Sequence, residues 1–153
     1  KRYQGDLQIP EGIYHIDRFN PASKYHLSLG INYPNKSDRI RKTRPDPGGD
    51  IFIHGNRVTI GCIPIGDSAI EELYILTVDA RDNGQEKIPV HIYPYDFNDK
   101  ETDERLNNIY KADTALINFW NELRPFCSYF NTYKGLPKIR IDQAGKYNLA
   151  QEQ

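Results

Sequence analysis

Apolar, β-branched and aromatic runs precede the first helical period in this sequence, and helical and strand-like segments do not alternate after it. Strand-like runs fall at Tyr14–Asp17, Tyr25–Ile31, Asp50–Gly55 and Val58–Ile65. A helical period follows, then another strand at Ile88–Tyr95, a long helical segment and two short strands, PKIRID and KYNLA. A doubly wound parallel sheet needs regular strand–helix alternation, so this order excludes it and predicts a β-rich domain with helices packed outside. With 153 residues, one domain with a real core is expected over 1–153.

Local chemistry supports these assignments. Asn20 and Pro21 supply a turn between the first two strands. Asn32–Asp50 carries three prolines and the Gly48-Gly49 pair, and reads as one long irregular segment. Ser68 and Glu71 form a Ser-x-x-Glu capping box, and Ile70, Leu73, Tyr74 and Thr77 recur at helical spacing, which predicts a helix to about Arg81. Leu106, Ile109, Tyr110, Leu116, Ile117, Trp120 and Leu123 form one stripe, predicting a helix over about 101–126.

Composition limits the partners. The formal net charge is −1, with no run of interleaved basic and aromatic residues, so nothing marks a nucleic-acid surface. No stretch approaches the roughly 18 apolar residues of a membrane span. The polar opening KRYQGD is not a signal peptide and reads as the interior of a longer chain. Two cysteines allow at most one disulfide and leave the compartment open. The basic cluster Lys36, Arg39, Arg41, Lys42 and Arg44 reads either as an attractor for an anionic substrate or as a solvated loop.

The stretch FIHGNRVTIGCIPIGD holds the reactive groups. A thiolate is a strong nucleophile, and an imidazole within hydrogen-bond reach generates it. A strand ending at His54, a reversal through Gly55 and Asn56, and a return to Cys62 provide one route to such a pair. Gly61 permits a sharp turn beside the nucleophile, and the N–H groups of Gly61 and Cys62 are candidate oxyanion donors. The alternative is a buried cysteine and a hydrogen-bonded histidine without chemistry. His15, His26, His91 and Cys127 show no zinc-ligand spacing, and Cys127 reads as packing.

The pattern His-Gly-x-x-x-Thr-x-Gly-Cys, here HGNRVTIGC, resembles the signature of L,D-transpeptidase catalytic domains of the YkuD type, and its compact spacing resembles the YafK-like branch. GDLQIPEGIYHI, FNPASKYHLSLGINYPNKSDR, IPVHIYPYDF and INFWNEL are similar to further family segments, in order, from about Gly5 to about Tyr147. The resemblance implies a β-rich α+β fold, a mixed β sandwich or barrel-like sheet with flanking helices, here expected to be N-terminally truncated. It implies Cys62 as nucleophile, His54 as base, Gly61 as the tight turn and Thr59 as a hydrogen-bonding site residue. Gly55, Asn56, Arg57 and Arg39 are the candidate substrate contacts. Two positions depart from the common pattern. Ile60 stands where many members have His, and Ile63, Pro64 and Ile65 stand where many have Arg or Asn. Arg57 either replaces that charge or is a solvated turn residue.

The implied activity is that of a periplasmic or cell-envelope enzyme acting on the diamino acid of peptidoglycan stem peptides through a cysteine thioester, without metal or cofactor. The implied acceptor is an amine, on a stem peptide or an envelope lipoprotein. Hydrolysis of a stem peptide, or of a diaminopimelate–lipoprotein lysine link, is the alternative within the fold, and a non-catalytic peptidoglycan-binding module is the alternative outside catalysis.

Overall fold

A computed structural model describes residues 1–150. The chain forms two compact units, Lys1–Ile92 and a second beginning at Tyr93.

The first unit is built on a five-stranded sheet of β1 (Gly12–Asn20), β2 (Ser28–Ile31), β3 (Phe52–His54), β4 (Ile63–Pro64) and β5 (Ile88–Ile92), in the order β4-β3-β2-β1-β5. All pairs are antiparallel except β3 with β4, which makes the sheet mixed. Strand β1 buries alternate residues, Gly12, Tyr14 and Ile16, as a strand with one face on a core must. Strand β2 is buried throughout, as expected for the middle of the sheet. A bulge between Ile16 and Arg18 interrupts the β1–β2 register. There Arg18 lies across Gly30, and its guanidinium sits 4.8 Å from the Phe52 ring centroid. A Cβ on Gly30 would stand 2.8 Å from Arg18 Nε and 3.1 Å from the Phe52 ring, so a side chain there would displace the arginine.

Helix α2 (Asp67–Asp82) closes the core with Ile70, which is fully buried beside Tyr14, Ile16, Leu29, Ile31, Tyr33, Ile51 and Ile53. Leu73 and Tyr74 pack against the same cluster, and Thr77 is buried, so the expected stripe is the one used. The expected capping box does not form. The N-cap is Gly66, without a side-chain cap, and Ser68 is already the second residue of the helix. The long segment between β2 and β3 is not wholly irregular either. It contains α1 (Lys36–Arg41), where the Asn35 side chain accepts from the Asp38 N–H and Asp38 accepts from the Asn35 N–H. The Asn35 amide also donates to the Ile13 carbonyl, and the Tyr14 hydroxyl donates to Asp38, which anchors α1 on β1.

The second unit contains α3 (Lys100–Ile109), α4 (Thr114–Tyr133) and the antiparallel pair β6 (Ile139–Ile141) with β7 (Tyr147–Leu149). The single long helix expected from the apolar stripe is two helices. Asp113 accepts from the Leu116 N–H and starts α4 afresh, as Asp99 starts α3 through the Thr102 N–H. Helix α4 buries Trp120, Leu123, Phe126 and Cys127, which fall on one stripe. Asp103 of α3 gathers the Tyr95 hydroxyl, Arg124 Nη2 and the Asn107 amide. The class is thus mixed α+β, with helices beside a curled mixed sheet, as expected.

Candidate active site

The site lies where β3 ends and β4 begins. His54 is the last residue of β3 and is 2% exposed. Its Nδ1 lies 2.5 Å from the Gly55 carbonyl oxygen. A carbonyl only accepts, so Nδ1 carries the hydrogen and the neutral ring presents an unprotonated Nε2. That tautomer is the one a general base requires.

The chain then reverses. Gly55 donates to the Leu27 carbonyl, 3.2 Å away. A Cβ at position 55 would meet Asp67 Oδ1 at 2.6 Å and the Tyr25 carbonyl at 2.7 Å, so the strand end packs too closely for any side chain. Asn56 takes the left-handed conformation, φ 60°, which asparagine tolerates better than most residues. Its N–H donates to Asp67 Oδ1 at 2.7 Å, and its side-chain oxygen accepts from the Arg57 N–H. Asp67 therefore fastens the reversal to the start of α2. Glu71, the acidic partner of the expected capping box, is instead engaged by His26.

The return segment was expected to be a strand over Val58–Ile65, yet only Ile63–Pro64 is ladder. Val58, Thr59 and Ile60 are exposed and form a turn. The Thr59 hydroxyl holds it, donating to the Cys62 carbonyl at 2.8 Å and accepting from the Gly61 N–H at 3.0 Å. Gly61 has φ +130°, a conformation closed to most side chains. The expected Gly61 oxyanion donor is thus engaged by Thr59. The Cys62 N–H has no protein partner among the described residues.

Parallel pairing aligns Ile53 with Ile63 and His54 with Pro64. Continued one step back, this register sets Cys62 opposite Phe52. Phe52 and His54 share a face of the sheet, because alternate residues of a strand do. Cys62 is partly exposed and directly precedes β4, and its Sγ donates to the Asp50 carbonyl at 3.6 Å, just before β3. The strand pair thus brings His54, Gly55, Asn56, Arg57, Thr59, Gly61 and Cys62 into one continuous structure. Arg39 sits elsewhere, on α1, which is anchored at β1 two strands from β3. A cavity of about 290 Å³ lined by His15, Asp17, Phe19, Arg81 and Lys87 includes neither His54 nor Cys62.

Two participants carry no local sequence signal. Asp67 is one. Tyr25 is the other: its ring stacks on His54 with centroids 4.8 Å apart.

The model of the YkuD L,D-transpeptidase catalytic domain matches residues 1–92, which are also the first compact unit and contain every residue of this site. The chain belongs to the YkuD family. Among curated relatives, this YkuD domain is 30% identical over 143 residues to the YafK proteins of Escherichia coli K12 and Escherichia coli O157:H7. That alignment covers 92% of this chain and 54% of each relative, so the chain spans about half the length of the curated relatives it matches. The fold is similar to the crystal structure of the helical cell shape determining protein Pgp2 from Campylobacter jejuni, with a TM-score of 0.50 and 21% identity over 93% of this chain and 59% of that one. Among the described residues, no helix is long and apolar enough to cross a membrane.

Proposed function

We propose that this protein is a cell-envelope L,D-transpeptidase that acts on peptidoglycan stem peptides through a thioester on Cys62. The observation that carries this reading is the hydrogen bond of His54 Nδ1 to the Gly55 carbonyl, with a glycine-preceded, partly exposed cysteine directly before the strand paired with β3.

Catalysis begins when the thiol leaves the Asp50 carbonyl and passes its proton to His54 Nε2. The sulfur lone pair attacks the carbonyl carbon of the diamino acid, and the carbonyl π electrons move onto oxygen. The Cys62 N–H, free of protein partners among the described residues, is the donor available to that oxyanion. Gly61 contributes through its backbone conformation, and Thr59 by holding the turn. Collapse breaks the C–N bond, with the His54 proton passing to the leaving amine. An incoming amine loses its proton to His54, attacks the thioester and restores the thiol. Water in the amine's place gives hydrolysis. Gly55, Asn56 and Arg57 form the rim beside the donor, and Arg39 offers a more distant positive charge to stem-peptide carboxylates. No metal or cofactor takes part. The catalytic domain spans 1–153, with the chemistry in its first unit, and works on the periplasmic side of the envelope.

Incubation of the protein and its Cys62→Ala variant with purified muropeptides, followed by mass spectrometry, tests the reading. New crosslinked dimers with the parent alone establish transfer. Shortened stems without dimers assign hydrolysis instead. Turnover by Cys62→Ala removes Cys62 from the role.

A further inference from the structure

We propose that Tyr25 is a positioning residue for His54: its ring holds the plane of the imidazole and stabilises the imidazolium formed when the thiol proton arrives. This rests on the roles proposed above for His54 and Cys62.

The Tyr25 and His54 rings are 4.8 Å apart between centroids and inclined by 34°. Tyr25 is 45% exposed, whereas His54 is 2% exposed, so the tyrosine is the solvent-side cover of the base. Tyr25 also meets the next residue by its backbone, since its carbonyl oxygen would lie 2.7 Å from a Cβ on Gly55. It therefore touches both partners of the Nδ1 hydrogen bond. The two contacts do different work. The Gly55 carbonyl selects which ring edge carries hydrogen, but one hydrogen bond leaves the ring free to tilt about Cβ–Cγ. The stacked ring restrains that tilt and keeps Nε2 in one direction. Once protonated, the imidazole becomes a cation against an aromatic face, an attractive arrangement absent from the neutral state.

The segment carrying Tyr25 is itself clasped. His26 adopts φ +73°, uncommon for a residue with a side chain. Its Nε2 lies 2.5 Å from Glu71 Oε1 on α2. The Ser23 hydroxyl accepts from the Tyr25 N–H, and the Leu27 carbonyl accepts from the Gly55 N–H. Strain at His26 is held by contacts on both sides of Tyr25, and the effect is to keep that ring over the base. The other titratable or basic residues on the segments flanking the base are Asp67, engaged by the Asn56 N–H, the His26–Glu71 pair, and Arg57 on the loop.

The test is the pH dependence of Cys62 alkylation by iodoacetamide, read by peptide mass spectrometry. Tyr25→Leu removes the ring and keeps much of the bulk. Its alkylation near neutral pH is expected to fall about tenfold. Tyr25→Phe keeps the ring and is expected to restore the parent profile. Glu71→Gln leaves both rings and loosens only the clasp, and a fall of about two- to fivefold in the same direction is expected; this variant decides the matter if Tyr25→Leu does not fold. Parent-like profiles for the folded ring-less and clasp variants overturn the proposal. His54→Ala separates the two levels. If it alters the profile while Tyr25→Leu does not, only the role of Tyr25 fails. If it too leaves the profile unchanged, the His54–Cys62 reading fails with it.

Discussion

His54 Nδ1 lies 2.5 Å from the Gly55 carbonyl oxygen, a hydrogen bond between neighbouring residues at the end of a strand. It depends on Gly55 adopting a position where no side chain fits. Gly55→Ala would place a methyl carbon 2.6 Å from Asp67 Oδ1 and 2.7 Å from the Tyr25 carbonyl. Because one neighbour is backbone, the strand end must shift, and overpacking of this kind costs about 1–3 kcal/mol. Chemical denaturation should show a lowered midpoint, and the variant should lose selective alkylation of Cys62.

Asp67 ties the reversal to α2 through the Asn56 N–H at 2.7 Å. Asp67→Ala hands that exposed donor to water and should cost about 0.5–1.5 kcal/mol. Asp67→Asn keeps an acceptor oxygen and should cost less. Amide hydrogen exchange at Asn56 reads the effect directly: it should quicken in the alanine variant and change little in the asparagine variant.

Asp38 sets a pH dependence of stability. Burial pushes its carboxyl up to about 6, against the opposing hydrogen bonds from the Asn35 N–H and the Tyr14 hydroxyl. The unfolded chain holds an aspartate near 3.9. The folded state therefore binds the proton more tightly, and this contribution is fully present below about pH 4 and lost as pH rises through about 6. The difference is up to about 3 kcal/mol. Asp38→Asn should flatten the stability profile between about pH 4 and 6, as followed by urea denaturation across that range.

The two cysteines should separate chemically. Cys62 is partly exposed at the turn, whereas Cys127 is buried on α4 and its thiol is pushed up, chiefly by burial. Brief iodoacetamide treatment of the folded protein should label Cys62 and spare Cys127, with Cys127 becoming labelled only on unfolding. Peptide mapping distinguishes the two. Equal labelling in the folded state would contradict the placement of Cys127.

What could be read from the sequence was what is encoded locally. The His54-Gly55 strand end and the Gly61-Cys62 turn are adjacent residues whose backbone demands are written in their types. The α2 stripe of Ile70, Leu73, Tyr74 and Thr77 was legible because a single core face imposes one period. Other features depend on distant partners. Ser68–Glu71 matches a capping box, but Glu71 is engaged by His26 and the helix starts earlier. The stripe over 101–126 hides a break, because Asp113 caps a new helix without disturbing the apolar pattern. The Val58–Ile65 run looks like a strand by composition, yet the Thr59 bonds bend its first half into an exposed turn. Tyr25 gave no warning at all, since its ring meets His54 from a separate segment.

Cys62 acylation itself is the most direct test of the enzyme reading. The protein should be mixed with a tetrapeptide-stem donor, quenched in acid within one turnover, and analysed by intact mass and peptide mapping. The account predicts an adduct equal to the donor less its leaving residue, confined to the Cys62 peptide and strongly diminished in His54→Ala. Turnover of the donor with no adduct on Cys62, or an undiminished adduct in His54→Ala, would contradict it.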